Sequence, residues 1–178
     1  MSAPAAFADS RPNAEAWLEG RYHEDLAPEA ERAIRAAGLA WARPQEAERH
    51  LAEAERLAGD HLAVMIARYR YALYTHDFAT ALVQAERVLA AAARRLNIPA
   101  DWREVRAGDA DFASDAPQVR FFLFVLQAYG YVLLRLDRLD EGTDALRRVT
   151  ELDVRDQTRT RILLKVILDR AQAAEGQE

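Results

Sequence analysis

Hydrophobic positions recur along the chain at a spacing of three and four residues, in segments separated by short turn signals. Residues at this spacing share one face of a helix, so the pattern predicts a series of amphipathic helices. Pro28 and Pro44 suit the first turns of two of them, because the N–H groups there have no intrahelical partner. The predicted helices are Pro28–Ala42, Pro44 to the Gly59–Asp60 turn, His61–Tyr74, Phe78–Leu96, Gln118–Leu136, Leu139–Leu152 and Arg155–Ala174.

The residue types in these segments also favour helix. Alanine, the best helix former, is abundant, and the chain has only seven glycines and six prolines. β-Branched residues, which favour strands, are sparse. In the first helix, Ile34, Leu39 and Trp41, with alanines between them, make the predicted apolar face. The predicted fold class is therefore all-α.

The pattern divides the chain into two parts. Residues 1–24 are expected to form an N-terminal arm with a short helix around Trp17, and residues 25–178 a helical domain. The helical pattern is broken by an insertion at about 97–117, which is rich in proline and acidic residues. Trp102 and Phe112 in this insertion have large apolar surfaces, so we expect them to pack beside Phe121–Phe124.

Three segments, each a turn leading into a helix, place a small residue at the same position. These residues are Ala47, Ala81 and Gly142; the first two are 34 residues apart, and the next interval is 61, the same period plus an insertion of 27. A pair of antiparallel helices cannot bury its apolar face alone, so such pairs stack on their neighbours. Small side chains let the helices approach closely, and the spacing therefore predicts a helical repeat.

The third repeat resembles a known family. The segment Leu126–Leu133 (LQAYGYVL) is similar to the W-x2-L-G-x2-Y signature of the tetratricopeptide repeat, with Leu126 for the tryptophan and Gly130 in place. Gly142 stands where the family has alanine, and Asp153 where it has proline. The resemblance covers about residues 28–153, and the first repeat is recognisable mainly by its second helix. It implies an α-α superhelix of antiparallel helix pairs, closed by a C-terminal capping helix.

The resemblance also implies a function. In this family the first helix of each repeat lines a concave groove that binds short segments of other proteins. The chain is therefore expected to be a non-catalytic interaction module, an adaptor or chaperone-like protein, which binds a peptide or amphipathic helix of a partner. In size it resembles the small tetratricopeptide chaperones of bacterial secretion systems, and its third repeat resembles small repeat proteins encoded beside metabolic operons such as nitrogen fixation. The expected groove residues are Arg32, Ile66, Arg70, Tyr74, Phe124, Gln127, Tyr131 and Arg135.

One specialised groove of the family is not expected here. Repeat proteins that grip the acidic C-termini of heat-shock chaperones use a clamp of Lys, Asn and Arg side chains. The corresponding positions hold Arg32, Ala36, Ala67, Phe124 and Ala128, of which one is cationic. The alternative to a binding module is a self-assembling structural protein, whose apolar face is covered by its own arm or by another copy.

Composition argues against other functions. A net charge of −5 disfavours nucleic acid as the partner, and the absence of cysteine excludes thiolate metal sites and cysteine nucleophiles. The four histidines show no metal-binding spacing, and no phosphate loop or GxSxG motif occurs, so no enzymatic activity, cofactor or metal is expected. No signal-peptide pattern is visible, and charges interrupt the apolar stretches within about a dozen residues, short of a bilayer span. The expected location is the cytoplasm.

Overall fold

The computed structural model describes residues 25–175, with side chains as far as Asp169. Within these residues there are helices and no strand, which confirms the all-α prediction. The predicted arm and short helix in residues 1–24 lie outside the described residues. The helices are α1 (Pro28–Leu39), α2 (Pro44–Ala58), α3 (Leu62–Tyr74), α4 (Phe78–Leu96), α5 (Pro117–Arg135), α6 (Leu139–Leu152) and α7 (Thr160–Glu175).

The last helix begins later than its sequence predicts, at Thr160 and not at Arg155. The cause is the buried carboxylate of Asp153, which accepts hydrogen bonds from the backbone N–H groups of Gln157 at 3.0 Å and Thr158 at 2.8 Å. Aspartate competes with helix in this way, because its side chain satisfies nearby backbone donors in a loop conformation.

The chain divides into two compact units, Met1–Arg70 and Tyr71–Glu178. In the first unit, α1 packs against α2. The expectation that Leu39 and Trp41 belong to the apolar face of α1 is wrong, since they are 81% and 46% exposed. The buried residues of α1 are Ala30, Ala33 and Ala37, and those of α2 are Ala47, Leu51 and Ala54. The buried core of this unit contains Leu26, Ala30, Ala33, Ala54, Ala63 and Val64.

In the second unit, α5 is the central helix and packs against both α4 and α6. Phe121, Phe122 and Leu123 are fully buried, and Phe124 is half-buried. Contrary to the sequence prediction, α5 is long and apolar enough to cross a membrane, although 72% of its apolar window is buried inside the protein. A mostly buried helix of this kind is typical of the core of a soluble protein.

Two turns in the second unit share one backbone design. The α3–α4 turn has His76 in the left-handed conformation, with φ of 64°, and the α5–α6 turn has Asp137 there, with φ of 58°. In each, the next residue donates its N–H to the carbonyl five positions back, which is the Schellman ending of a helix. These bonds run from Asp77 to Ala72 at 2.9 Å and from Arg138 to Leu133 at 3.0 Å. The two turns therefore have the same backbone conformation.

The insertion between α4 and α5 packs on α5. Trp102 and Phe112 are buried, with the Phe112 ring centroid 6.0 Å from that of Phe122 and the Trp102 centroid 6.3 Å from that of Tyr129. The prediction that these two side chains pack on the domain is confirmed, and Phe112 lies beside the Phe121–Phe124 segment. The small repeat residues Ala47, Ala81 and Gly142 are also buried.

Candidate protein-binding site

Four side chains of the second unit form a cluster around Arg135, the last residue of α5. The Cζ atom of Arg135 lies 4.3 Å from the ring centroid of Phe78, and its Nη1 donates a hydrogen bond of 3.0 Å to the Tyr131 hydroxyl. The ring of His76 is tilted against that of Phe78, with centroids 5.7 Å apart. We call His76, Phe78, Tyr131 and Arg135 the arginine–aromatic patch.

Local backbone structure positions these groups. Tyr131 and Arg135 are four residues apart on α5, a spacing at which helical side chains meet. Tyr131 is only 7% exposed, so it presents its hydroxyl to Arg135 from a fixed position. His76 lies in the α3–α4 turn, and Phe78 is the first residue of α4. The left-handed backbone conformation of His76 redirects the chain into α4.

Arg135 is not paired with an acidic side chain of the described residues. In residues 25–175 it has contacts with Phe78 and Tyr131 but no carboxylate partner. Stacking uses the flat face of a guanidinium, whereas its five N–H donors lie on its edge. Arg135 is half-buried and keeps part of its surface in contact with solvent, where donors other than the one bonded to Tyr131 can meet an acceptor from outside.

The first unit contains three of the eight predicted groove residues. Arg32 is exposed and pairs with Glu29 at 2.9 Å within α1. Ile66 is buried, and Arg70 is half-buried. Burial makes Ile66 part of the apolar interior. The prediction that these residues line a groove remains a prediction.

The second unit contains the other five residues. Tyr74 is 48% exposed and Phe124 is half-buried. Gln127 is buried, and its Nε2 donates to the carbonyl oxygen of Thr158 at 2.9 Å, so this amide serves the packing of its own chain. Tyr131 and Arg135 lie together in the arginine–aromatic patch.

The sequence analysis did not include His76 and Phe78 among the site residues. A signal for them existed in the predicted repeat register, because Tyr74 and Arg135 each end a helix two residues before a residue in the left-handed conformation. Turns of neighbouring helix pairs in a stack lie side by side. An aromatic residue just after one turn could therefore have been expected near the end of the next pair.

A second polar cluster lies where the insertion contacts α5. Burial raises the pKa of the Tyr129 phenol, and the negative charge of Glu86 raises it further, against smaller opposing effects of Trp102, Arg103 and Arg138. Arg103 stacks over the Trp102 ring at 4.5 Å. This cluster joins the insertion to the helices.

Within the described residues, no group of three or more His, Asp or Glu side chains could hold a metal ion. The candidate site is composed of aromatic rings and one arginine. Chemically, it offers apolar contact, cation–π stacking and charge-assisted hydrogen bonds.

The described residues define an all-α protein. The chain is 38% identical over 125 residues to the "Uncharacterized 19.8 kDa protein in nifW 5'region" of Azotobacter chroococcum mcd 1, over 69% of this chain and 70% of that relative. It belongs to the same protein family as this bacterial relative. No protein-family model matches the chain. No solved structure matches it.

Proposed function

We propose that this protein is a non-catalytic protein–protein interaction module, which binds a peptide or amphipathic helix of a partner. The observation that carries the proposal is the arginine–aromatic patch together with Tyr74, which lies two residues before His76 and is 48% exposed. Tyrosine and arginine are enriched where binding energy concentrates at protein interfaces. The module acts as an adaptor or chaperone-like protein in the cytoplasm.

The proposal includes a tetratricopeptide-like arrangement of the helix pairs. It is supported by the matching α3–α4 and α5–α6 turns and by the buried small residues at the repeat positions. In such an arrangement the ends of the first helices of successive pairs present one continuous surface. Tyr74 and Arg135 occupy equivalent places at the ends of α3 and α5, and both would contribute to it.

Capture of a partner by matched variants tests this function. Tyr74→Ser removes an exposed ring at the proposed surface, and Val83→Ser removes a similarly exposed apolar side chain from α4 as the control. Tyr74→Ser should weaken partner capture several-fold with little change in the melting temperature, whereas Val83→Ser should bind as the unaltered protein does. Equal capture by both variants would place the binding surface elsewhere.

The relative suggests which partner to test first. Its name places its gene in the 5' region of nifW. We therefore propose the NifW protein of the same bacterium as the first candidate in a direct binding experiment with purified components. An unrelated acidic helical protein is the control for nonspecific association.

A second candidate function is self-assembly, which the C-terminal helix favours. Ile162 and Val166, four residues apart on α7, are 60% and 38% exposed, and Val154 just before this helix is 59% exposed. A second copy could cover this apolar stripe. Sedimentation equilibrium distinguishes the functions: a dimer that Ile162→Glu dissociates supports assembly, and a monomer at all concentrations excludes it.

A further inference from the structure

Arg135 differs from the paired arginines around it in the second unit. Arg138, Arg147 and Arg155 each lie within 3.2 Å of a carboxylate oxygen of the same chain. Arg135 has none in the described residues, although it is held in place by Phe78 and Tyr131. A charged group that is already ordered loses less conformational freedom when it binds, so it is well suited to recognition.

We infer that Arg135 recognises the side-chain carboxylate of an aspartate or glutamate within the bound segment of the partner. This inference rests on the proposed function and adds the chemistry of the segment. The guanidinium edge matches a carboxylate, with which it can form two parallel hydrogen bonds. Tyr74, the last residue of α3 before the turn that holds His76, offers an apolar surface to the residues that flank the acidic one.

The backbone of the turn favours a side-chain carboxylate over a chain terminus. One way in which proteins capture a terminal carboxylate is a cluster of free backbone N–H groups. Here the N–H groups of Thr75, His76 and Asp77 already donate to carbonyl oxygens of α3, at 2.9, 3.3 and 2.9 Å. The backbone of this turn therefore offers no free N–H group to a terminal carboxylate. A single arginine is also not the clamp of several side chains that grips chain termini, so an acidic side chain inside the recognised segment is favoured.

A peptide-display selection provides the first test. The probe is a library of random 12-residue peptides joined to the display particle through their C-termini, so that no free terminal carboxylate is present. The unaltered protein should enrich peptides with one Asp or Glu at a constant distance from apolar residues. Arg135→Gln should enrich apolar residues at the same positions without the acidic one.

Affinities of one selected peptide then measure the interaction itself. Replacing its Asp by Asn, or its Glu by Gln, should weaken binding to the unaltered protein about five- to tenfold, as for a partly exposed charge-assisted bond. The same replacement should have no effect on binding to Arg135→Gln. Arg135→Lys should keep part of the preference for the acidic peptide residue, because lysine has the positive charge. It should not keep all of it, because lysine lacks the planar guanidinium edge.

Arg94→Gln is the matched control, since Arg94 is exposed on α4 of the same unit and has no carboxylate partner in the described residues. It should leave the acidic preference unchanged. Melting curves of all variants show whether the fold is kept. Selected peptides without an acidic preference, or a preference that Arg135→Gln retains, overturn this inference and leave the proposed function standing. A selection that enriches no peptide overturns both.

Discussion

A β carbon added to Gly142 on α6 would lie 3.0 Å from the carbonyl oxygen of Gly130 on α5. The same atom would lie 2.8 Å from two side-chain atoms of Leu134. A β carbon on Gly130 would in turn lie 3.1 Å from the side chain of Leu146. The two glycines therefore allow α5 and α6 to approach closely, and each makes room for the other helix.

Gly142→Leu should destabilise the protein by about 1–3 kcal/mol, because extra atoms in a tightly packed contact force the helices apart. Gly142→Ala should cost less. The Leu134 side chain can rotate but the Gly130 carbonyl cannot, and alanine recovers about 0.4–1 kcal/mol of backbone entropy. Urea denaturation gives both free energies of unfolding.

The control for the glycine contact is Gly108→Ala in the insertion, where a β carbon would have no atom within 4 Å. Its free energy of unfolding should stay within about 0.5 kcal/mol of that of the unaltered protein. If Gly142→Leu is as stable as this control, the two helices do not cross at Gly142.

Trp102 in the insertion should emit as a buried indole, because it is only 7% exposed. Two variants with a single tryptophan allow a comparison: one keeps Trp102 and the other keeps Trp41, with the remaining tryptophans replaced by phenylalanine. The Trp102 protein should show blue-shifted emission and resist acrylamide quenching, whereas Trp41, which is 46% exposed, should not. Equal quenching of the two would mean that the insertion is undocked in solution.

Stability should fall at high pH because of Tyr129. Burial and the charge of Glu86 raise the pKa of this phenol above its ordinary value, so the folded protein keeps its proton where the unfolded chain has lost it. The unfolded state is then favoured as pH rises from the ordinary tyrosine pKa of about 10 to the raised pKa. Below that window both states are protonated, and Tyr129 gives no pH dependence.

Replacements at two positions check the titration of Tyr129. Tyr129→Phe should make the free energy of unfolding fall less steeply above about pH 10. Glu86→Gln should move the phenolate absorbance transition of Tyr129 to lower pH, because the repelling charge is gone. An unchanged transition in Glu86→Gln would show that burial alone sets this pKa.

Asp153 should control the attachment of α7. Its carboxylate accepts the N–H groups of Gln157 and Thr158 and the Thr158 hydroxyl, the last at 2.8 Å. Asp153→Ala removes these acceptors and leaves half-buried donors unpaired, at a cost of about 1–3 kcal/mol.

Hydrogen exchange locates the effect of Asp153. Amides of α7 should exchange faster in Asp153→Ala, while amides of α5 should change less, since local opening does not require global unfolding. Val154→Ala, a change of a side chain that is 59% exposed in the same loop, is the comparison. Equal acceleration in both variants would argue against a specific role for the Asp153 carboxylate.

Helix positions could be predicted where their signals are local. The bounds of α4 and α6 agree with prediction at both ends, since short turns separate them from their neighbours and their apolar spacing is regular. The start of α7 could not be predicted, because it depends on Asp153 turning back to bond a loop. Small differences in free energy decide whether this segment forms helix or a loop held by the Asp153 side chain. The spacing of hydrophobic residues does not reveal those differences.

Burial was harder to predict than helix. Leu39 and Trp41 have apolar side chains but lie exposed, and alanines occupy the α1–α2 contact. Gln127, predicted to face a partner, donates instead to the Thr158 carbonyl. Periodicity identifies one face of a helix, and it does not say which neighbour, if any, covers that face.

By itself, the sequence determined the all-α class, the repeat spacing through Ala47, Ala81 and Gly142, and the need to bury Trp102 and Phe112. These follow from local propensity and from the apolar area of each side chain, which are properties of the residues themselves. Only the tertiary structure decided that Phe78 stacks on Arg135 and that no carboxylate of the described residues reaches that arginine. A contact of this kind depends on how helices that are distant in sequence pack, and the sequence of one helix does not specify it.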